Sequence, residues 1–331
     1  MKLSVVIPVY NSEGTIMILV NTLLKVLHPY ELEIVLVNDA SRDKSELVCE
    51  TIASFDHRVK FISLRKNSGE HNTVMCGLNY CTGDYIAIVD DDLQNPPSEI
   101  ITLVNKAIAG KHDVVYARYG VKQHSLFRNF CSYLNNVFAF YLLNKPKGLY
   151  LSSFKVFSKE ILKEILAYKG PFPYIDALIL RVTDNISSEE VIHEIRKNGK
   201  SNYTLKKLFS LYLNVFINYS NKPLRLVTIT GIMISILSAI LAASIVYEKV
   251  FVNDITFGWT FLAVLLLFSI GATFIVIGLL GEYIGKIIMS LNNTPQFVIK
   301  KTVNTETIEE SISKPINIMY KEEYDREPVR I

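Results

Sequence analysis

Cysteine is scarce in this 331-residue chain: Cys49, Cys76, Cys81 and Cys131 are all there are. None stands in zinc-type spacing with nearby histidines, so they read as reduced thiols of a cytoplasmic domain. Net charge is low as well, at a formal +3, which is too small to argue for a nucleic-acid partner. A signal peptide is missing: the apolar run Leu3 to Ile7 is too short, Pro8 ends it, and it reads as a first strand. The glycine-rich dinucleotide fingerprint is missing too. The turn after that strand reads PVYNSEG, which disfavours a nicotinamide enzyme. There is no internal repeat and no low-complexity tract.

What the chain has in quantity is hydrophobicity: half its residues are apolar, and mean hydropathy is +0.25, high for a purely soluble protein. Up to Ala117 the apolar residues alternate between two patterns. Buried-strand runs are expected at Leu3 to Ile7, Ile34 to Val37, Val59 to Leu64, Tyr85 to Val89 and Asp113 to Ala117. Helical spacing is expected between them, over Ser12 to His28, up to Ile52, over Asn72 to Tyr80 and over Ser98 to Ala109. Strand alternating with helix predicts an α/β fold, a mostly parallel sheet with helices on both faces. Ligands of such sheets sit outside the carboxyl ends of the strands. Tyr10 and Glu13, Asp39, Arg65, and the stretch Asp90 to Gln94 all fall there.

The stretch YIAIVDDDLQNPP organises the rest. An apolar strand stops abruptly at Asp90, Asp91 and Asp92, and Pro96 and Pro97 open the next helix. Three adjacent carboxylates repel one another, and a hard divalent cation would relieve them while suiting a phosphate-bearing substrate. The plain alternative at this point is an acidic turn that stops a strand and caps a helix.

Beyond Arg118 the pattern weakens. Arg128 lies in SLFRNF, Leu149 to Phe157 suggests a strand followed by a helix from Ser158, and Glu189 to Arg196 alternates like another strand. The loop Arg196 to Tyr203 is basic and suits phosphate. Leu205 to Tyr219 is amphipathic, fitting either a membrane interface or the soluble domain. Leu226 to Tyr247 and Ile255 to Leu280 carry no charge, and each exceeds the roughly 20 apolar residues that span a bilayer. Lys222 and Arg225 flank the pair on one side and Lys286, Lys300 and Lys301 on the other. That excess puts both ends, and with them both termini, in the cytoplasm. The tail after Lys301 is expected to be polar and poorly ordered.

Taken together, VVIPVYNSE, IVLVNDAS, RKNSGEHNTVMCGL, TGDYIAIVDDDLQNPPSEI, RKNGKSNYT, NKPLR and LLGEYIGK resemble glycosyltransferase family 2. The likeness is to its polyprenyl-phosphate branch, the dolichyl-phosphate mannose synthases and bacterial undecaprenyl-phosphate sugar transferases. It implies a GT-A type nucleotide-sugar-binding domain over residues 1–203 and an amphipathic juxtamembrane segment over 204–225. Two transmembrane helices would fill 226–281, with a cytoplasmic segment and tail over 282–331, in the inner membrane of a bacterium. The implied reaction is inverting transfer of a sugar from a nucleotide sugar, a UDP-sugar in the bacterial case, to membrane polyprenyl phosphate. A homo-oligomer is left open.

By position, the resemblance makes Asp90, Asp92 and Gln94 ligands of Mg²⁺ or Mn²⁺, with Asp91 at the variable middle place beside the donor. It puts Pro8, Tyr10, Glu13 and Asp39 at the nucleoside. Arg118, Arg128, Arg196 and Ser201 fall near the diphosphate or the lipid phosphate, with Asp92, Arg128 and Arg196 carrying catalysis. Many relatives have an acid just before the Phe-Arg pair of the acceptor strand, where this chain reads Ser152-Ser153-Phe154-Lys155. No carboxylate base is expected there, and Ser153 is expected to contribute little. The alternatives are a processive polysaccharide synthase, whose QxxRW motif is absent because the one tryptophan, Trp259, lies in a span; a catalytically inactive membrane scaffold of the same fold; and a protein glycosyltransferase with an incidental anchor.

Overall fold

The computed structural model describes residues 1–119, 146, 148–194, 259–292 and 294–305, with scattered helical positions between 227 and 251. In order, the chain runs β1 (Lys2–Val9), α1 (Ile16–Val26), β2 (Glu31–Asn38), α2 (Ser45–Phe55), β3 (Val59–Leu64), α3 (Glu70–Leu78), β4 (Tyr85–Ile88), α4 (Ser98–Gly110) and β5 (Val114–Tyr119). Then come β6 (Lys155–Ser158), α5 (Lys159–Leu166), α6 (Ile175–Val182), β7 (Ile186–Val191), α7 (Trp259–Leu291) and β8 (Ile299–Val303). The strands form one mixed sheet of order β7-β5-β6-β4-β1-β2-β3-β8. β3, β2, β1 and β4 are parallel neighbours, β6 lies antiparallel between β4 and β5, and β7 is parallel to β5.

The unbroken apolar runs of β1 and β2 follow from burial on both faces. Side chains alternate along a strand, so Val5 and Ile7 join the core under α1, α2 and α4, while Val6 joins the core under α3, α5 and α6. Ile16, Leu19, Val20 and Leu23 line the buried side of α1 at helical spacing. Gly77 lets α3 approach the sheet closely: a Cβ there would meet Val6 Cγ1 at 2.6 Å and Val37 Cγ2 at 3.0 Å. At the other end of the strands, Glu33 accepts hydrogen bonds from Ser4 Oγ (2.6 Å), Lys60 Nζ (2.5 Å) and Thr82 N (2.9 Å). Burial alone would push this carboxyl up, but those donors together hold it below its ordinary range.

Two findings at the C-terminal end go beyond the sequence pattern. α7 does not stop at Leu280 but continues to Leu291, about 50 Å in all at 1.5 Å per residue. No proline interrupts it before Pro295, and Glu282 and Lys286 stand at the favourable i, i+4 spacing. Among the described residues, its stretch Ser269–Leu291 is long and apolar enough to cross a membrane. The first expected span, 226–247, lies mostly outside the described residues; Val227, residues 229–234, Ile236, Ile240 and Tyr247 are helical.

The second finding is β8, which falls where only a polar segment and tail are expected. It pairs antiparallel with β3, setting Phe61 opposite Val303 and Ile62 opposite Thr302. Lys300 bonds Glu46 at 2.9 Å and Lys301 bonds Glu50 at 2.6 Å, both on α2. Asn304 donates to the carbonyls of Ala53, Asp56 and Val59. Gln296, between α7 and β8, donates to the carbonyls of Tyr168 and Gly170. The strand covers an edge that would otherwise present unpaired backbone groups.

Candidate active site

Four parallel strands end on one rim, and each turn there contains a residue with a left-handed backbone. These are Asn11 after β1 (φ 56°), Ala40 after β2 (φ 53°), Gly69 after β3 (φ 86°) and Leu93 after β4 (φ 61°). For Ala40 and the bulky Leu93 this conformation is costly, and such strain gathers at functional sites. The turns are held to one another by side chains. Asp39, buried, accepts Ser68 N at 2.7 Å and Gly69 N at 3.1 Å. Burial outweighs these two bonds and raises its carboxyl above the usual range. Glu13, exposed, accepts Lys44 N at 2.8 Å and so ties the β1 turn to the start of α2. Pro8 lies half-buried in β1 opposite Val37.

The three aspartates diverge in role. Asp91 turns back onto the first turn, where Oδ2 accepts Tyr10 N at 3.0 Å and the hydroxyl of Ser12; Thr15 Oγ1 donates to its carbonyl at 2.7 Å. The middle acid is thus a clamp between β4 and β1. Asp92 Oδ1 accepts Gln94 N at 3.1 Å, closing the turn that Leu93 bends. Asp90 Oδ2 accepts Ser153 Oγ at 2.6 Å. Burial first, then the nearby Glu70, Asp92 and Asp91 charges, push Asp90 up to about 7 despite that hydrogen bond. A carboxyl so crowded by its own sign is a place that favours a cation. No group of three or more His, Cys, Asp or Glu side chains forms a metal cage among the described residues. The residues expected as ligands, Asp90, Asp92 and Gln94, would offer two carboxylates and one amide oxygen, a set whose chemistry fits an ion with coordination completed by substrate phosphate and water.

On the other flank, Tyr119, the last residue of β5, joins three segments. Its hydroxyl donates to Asn95 Oδ1 at 2.9 Å and lies 3.0 Å from Ser152 Oγ, which also accepts Phe154 N at 3.2 Å. Its ring lies 4.2 Å from that of His193, whose Nδ1 is 3.4 Å from Asn95 Oδ1. Burial pushes the Tyr119 hydroxyl up to about 12, so it stays a neutral donor. Next to this, Glu194 N donates to Gln94 O at 2.8 Å, and Gln94 Nε2 reaches Glu194 O at 3.4 Å. The acid turn and the chain leading into the basic loop are thus bonded directly.

The structure therefore brings Tyr10, Asp39, Asp90, Asp91, Asp92 and Gln94 to one rim, with Glu13 at its margin. Arg118 is not joined to that cluster: exposed on β5, it pairs with Glu190 of β7 at 3.3 Å, the residue opposite it in register. Alternation along the strand is the reason, since Tyr119 takes the neighbouring, opposite face. Arg128, Arg196 and Ser201 lie outside the described residues. Sequence reasoning did not single out Ser12, Asn95, Tyr119 or His193, and it did not foresee the bond from Ser153 to Asp90. A serine taking the place of an expected acid beside the strand was the one available signal.

Residues 4–166 match the family described as Glycosyl transferase family 2. The undecaprenyl-phosphate 4-deoxy-4-formamido-L-arabinose transferase of Photorhabdus laumondii is 33% identical over 308 residues, covering 91% of this chain and 94% of its own. The enzyme of the same name from Yersinia enterocolitica is 34% identical over 316 residues, covering 93% and 95%. A mostly parallel sheet carrying an acidic turn at its carboxyl rim, together with these matches, places the chain in glycosyl transferase family 2. Within that family it falls among the polyprenyl-phosphate glycosyltransferases. Among solved structures, glucosyl-3-phosphoglycerate synthase from Mycobacterium tuberculosis, with Mn²⁺, UDP-glucose and phosphoglyceric acid, aligns with TM-score 0.50 and 20% identity. The alignment covers 65% of this chain and 77% of that one, and the likeness is one of fold.

Proposed function

We propose that this chain transfers a sugar from a nucleotide sugar, a UDP-sugar, to undecaprenyl phosphate in the membrane, with inversion at the anomeric carbon. The observation that carries this reading is the acid turn at the end of β4, with Asp90 and Asp92 on the rim, in a chain similar over nearly its whole length to undecaprenyl-phosphate transferases.

The acceptor is a phosphate monoester whose second pKa is near 6, so at neutral pH it is already a nucleophile. One of its oxygens attacks the anomeric carbon in line. A carbon–oxygen bond to the lipid phosphate forms as the bond to the nucleoside diphosphate breaks, and the diphosphate leaves with the electron pair. No group on the enzyme has to remove a proton, which suits a serine where relatives have an acid. The residues' tasks are to bind and orient. Tyr10, Glu13 and Asp39 border the nucleoside, while Arg128, Arg196 and Ser201 serve the phosphates; Arg118, paired with Glu190 away from the rim, has no part in this. Asp90, Asp92 and Gln94 would hold Mg²⁺ or Mn²⁺, which when bound supplies charge neutralisation for the departing diphosphate.

The two-span hairpin belongs to the same reading. β8 and β3 share one sheet, so the chain beyond α7 lies on the same side of the membrane as the catalytic domain. A chain that leaves that side and returns crosses an even number of times. α7 is one crossing, and the helical positions between 227 and 251 support the other.

The test is a panel of UDP- and GDP-sugars, beginning with UDP-4-deoxy-4-formamido-L-arabinose. Each is incubated with membranes holding the full chain and undecaprenyl phosphate, with and without chelator. The expected result is a chelator-sensitive glycosyl phospholipid from one UDP-sugar. Sugar appearing on protein or in a polymer, with no lipid product, would overturn the reading.

A further inference from the structure

Each of Tyr119's three partners named above is next to a residue assigned to the reaction. Asn95 follows Gln94; Ser152 precedes Ser153, which holds Asp90; His193 precedes Glu194, whose amide is bonded to Gln94. The three partners come from segments far apart in sequence, the β4–α4 turn, the chain entering β6 and the chain leaving β7. The basic stretch begins at Arg196, two residues after Glu194. β5 ends at Tyr119 and supplies the rigid base, with its parallel pairing to β7 running through Tyr119 and Val191.

We infer that Tyr119, with Asn95 and His193, is a positioning hub that sets the acceptor-phosphate side of the site in register with the acid turn. This rests on the proposed transfer to a lipid phosphate. The physical logic is that of a polar network with two buried members: Tyr119 is half-buried and His193 exposed, but Asn95 and Ser152 are buried, so loss of the Tyr119 hydroxyl leaves them short of a partner rather than re-solvated. Donor contacts on the β1 and β2 turns do not pass through this hub. The acceptor side does, because both the chain before Ser153 and the chain before Arg196 are bonded to it. Truncating the hub is therefore expected to act on acceptor use and to spare donor binding.

The test uses the full chain in nanodiscs, with and without undecaprenyl phosphate, and the UDP-sugar that the panel identifies. Tyr119→Phe keeps the ring against His193 and removes the hydroxyl's contacts with Asn95 and Ser152. It is expected to lower kcat/KM for undecaprenyl phosphate about tenfold, the size of one unsatisfied buried partner. KM for the UDP-sugar should stay within about twofold, since its nucleoside contacts lie on the β1 and β2 turns and Tyr119→Phe removes none of Asp90, Asp92 and Gln94. His193→Leu should behave likewise, and His193→Gln, which keeps a donor, should recover most of the loss. Hydrogen exchange at the Glu194 amide should speed up in Tyr119→Phe with no change in Tm large enough to indicate unfolding. Equal losses on the donor and acceptor sides, or none, would overturn the hub. If the wild type makes no lipid product from any sugar, the functional reading fails and the hub with it. If the wild type makes it and Tyr119→Phe matches the wild type, the hub alone fails.

Discussion

At the scale of single residues, three adjacent aspartates have three different jobs, set by what each side chain meets. Asp91 is held by Tyr10 N and Ser12, so its removal should loosen the first turn. Asp92 closes its own turn through Gln94 N, and Asp92→Asn should lower transfer by about 10²–10³, the loss typical of removing one charge-stabilising group. Circular dichroism should be unchanged, and near-normal activity in excess chelator would sink the metal assignment. Ser153 was expected to matter little. Its 2.6 Å bond to Asp90 changes that: Ser153→Ala removes a hydrogen bond to a carboxylate, about 2 kcal/mol. The variant should bind Mn²⁺ roughly thirtyfold more weakly by calorimetry, a weakening that an idle serine would not cause. Glu33 offers a pH test away from the site. Its folded pKa is depressed below the ordinary 4.5, so its contribution is present above that value and is lost as pH falls through the folded one. Thermal unfolding of the full chain should show less acid sensitivity below about pH 4.5 in Glu33→Gln, with stability at pH 7 lowered by about 3 kcal/mol.

At the scale of elements, the strand–helix alternation up to β5 was legible because buried parallel strands are unbroken apolar runs and amphipathic helices repeat at 3.6 residues. The boundaries shifted by a few residues, as α1 does, starting at Ile16 rather than Ser12. β8 was not legible. Ile299–Val303 reads IKKTV, with its lysines serving α2 carboxylates, and nothing local says that it completes the edge at β3, far earlier in the chain. Lys300→Glu with Lys301→Glu sets like charges against Glu46 and Glu50 and should release this edge. Protease sensitivity at 292–305 should rise, and transfer to lipid should fall more than hydrolysis of the UDP-sugar. Equal falls in both would argue that β8 only stabilises the sheet.

At the scale of the whole molecule, β8 links two things that sequence treats separately, the α/β sheet and the long apolar helix α7. α7 ends a few residues before the strand, Gln296 bonds the carbonyls of Tyr168 and Gly170, and Lys286 lies 5.9 Å from the Phe172 ring. The sheet is thus held against the end of its own long apolar helix, and in the proposed reading a lipid phosphate would be presented there. A cytoplasm-only reporter fused at the C-terminus should give signal, and a periplasm-only reporter should not. The reverse result would contradict both the charge asymmetry and the return of the chain to the sheet.

Sequence by itself determined the α/β class, the polar rim, the acid turn and the apolar C-terminal run, because each is written in adjacent residues or a short period. The tertiary structure alone decided which acid faces where, the bond from Ser153 to Asp90, the placing of Arg118 beside Glu190, and the joining of three distant segments by Tyr119. The reason is physical. Burial patterns are local and repeat along the chain, whereas a hydrogen bond between loops depends on strand order, and no residue carries a record of which strand will lie beside it.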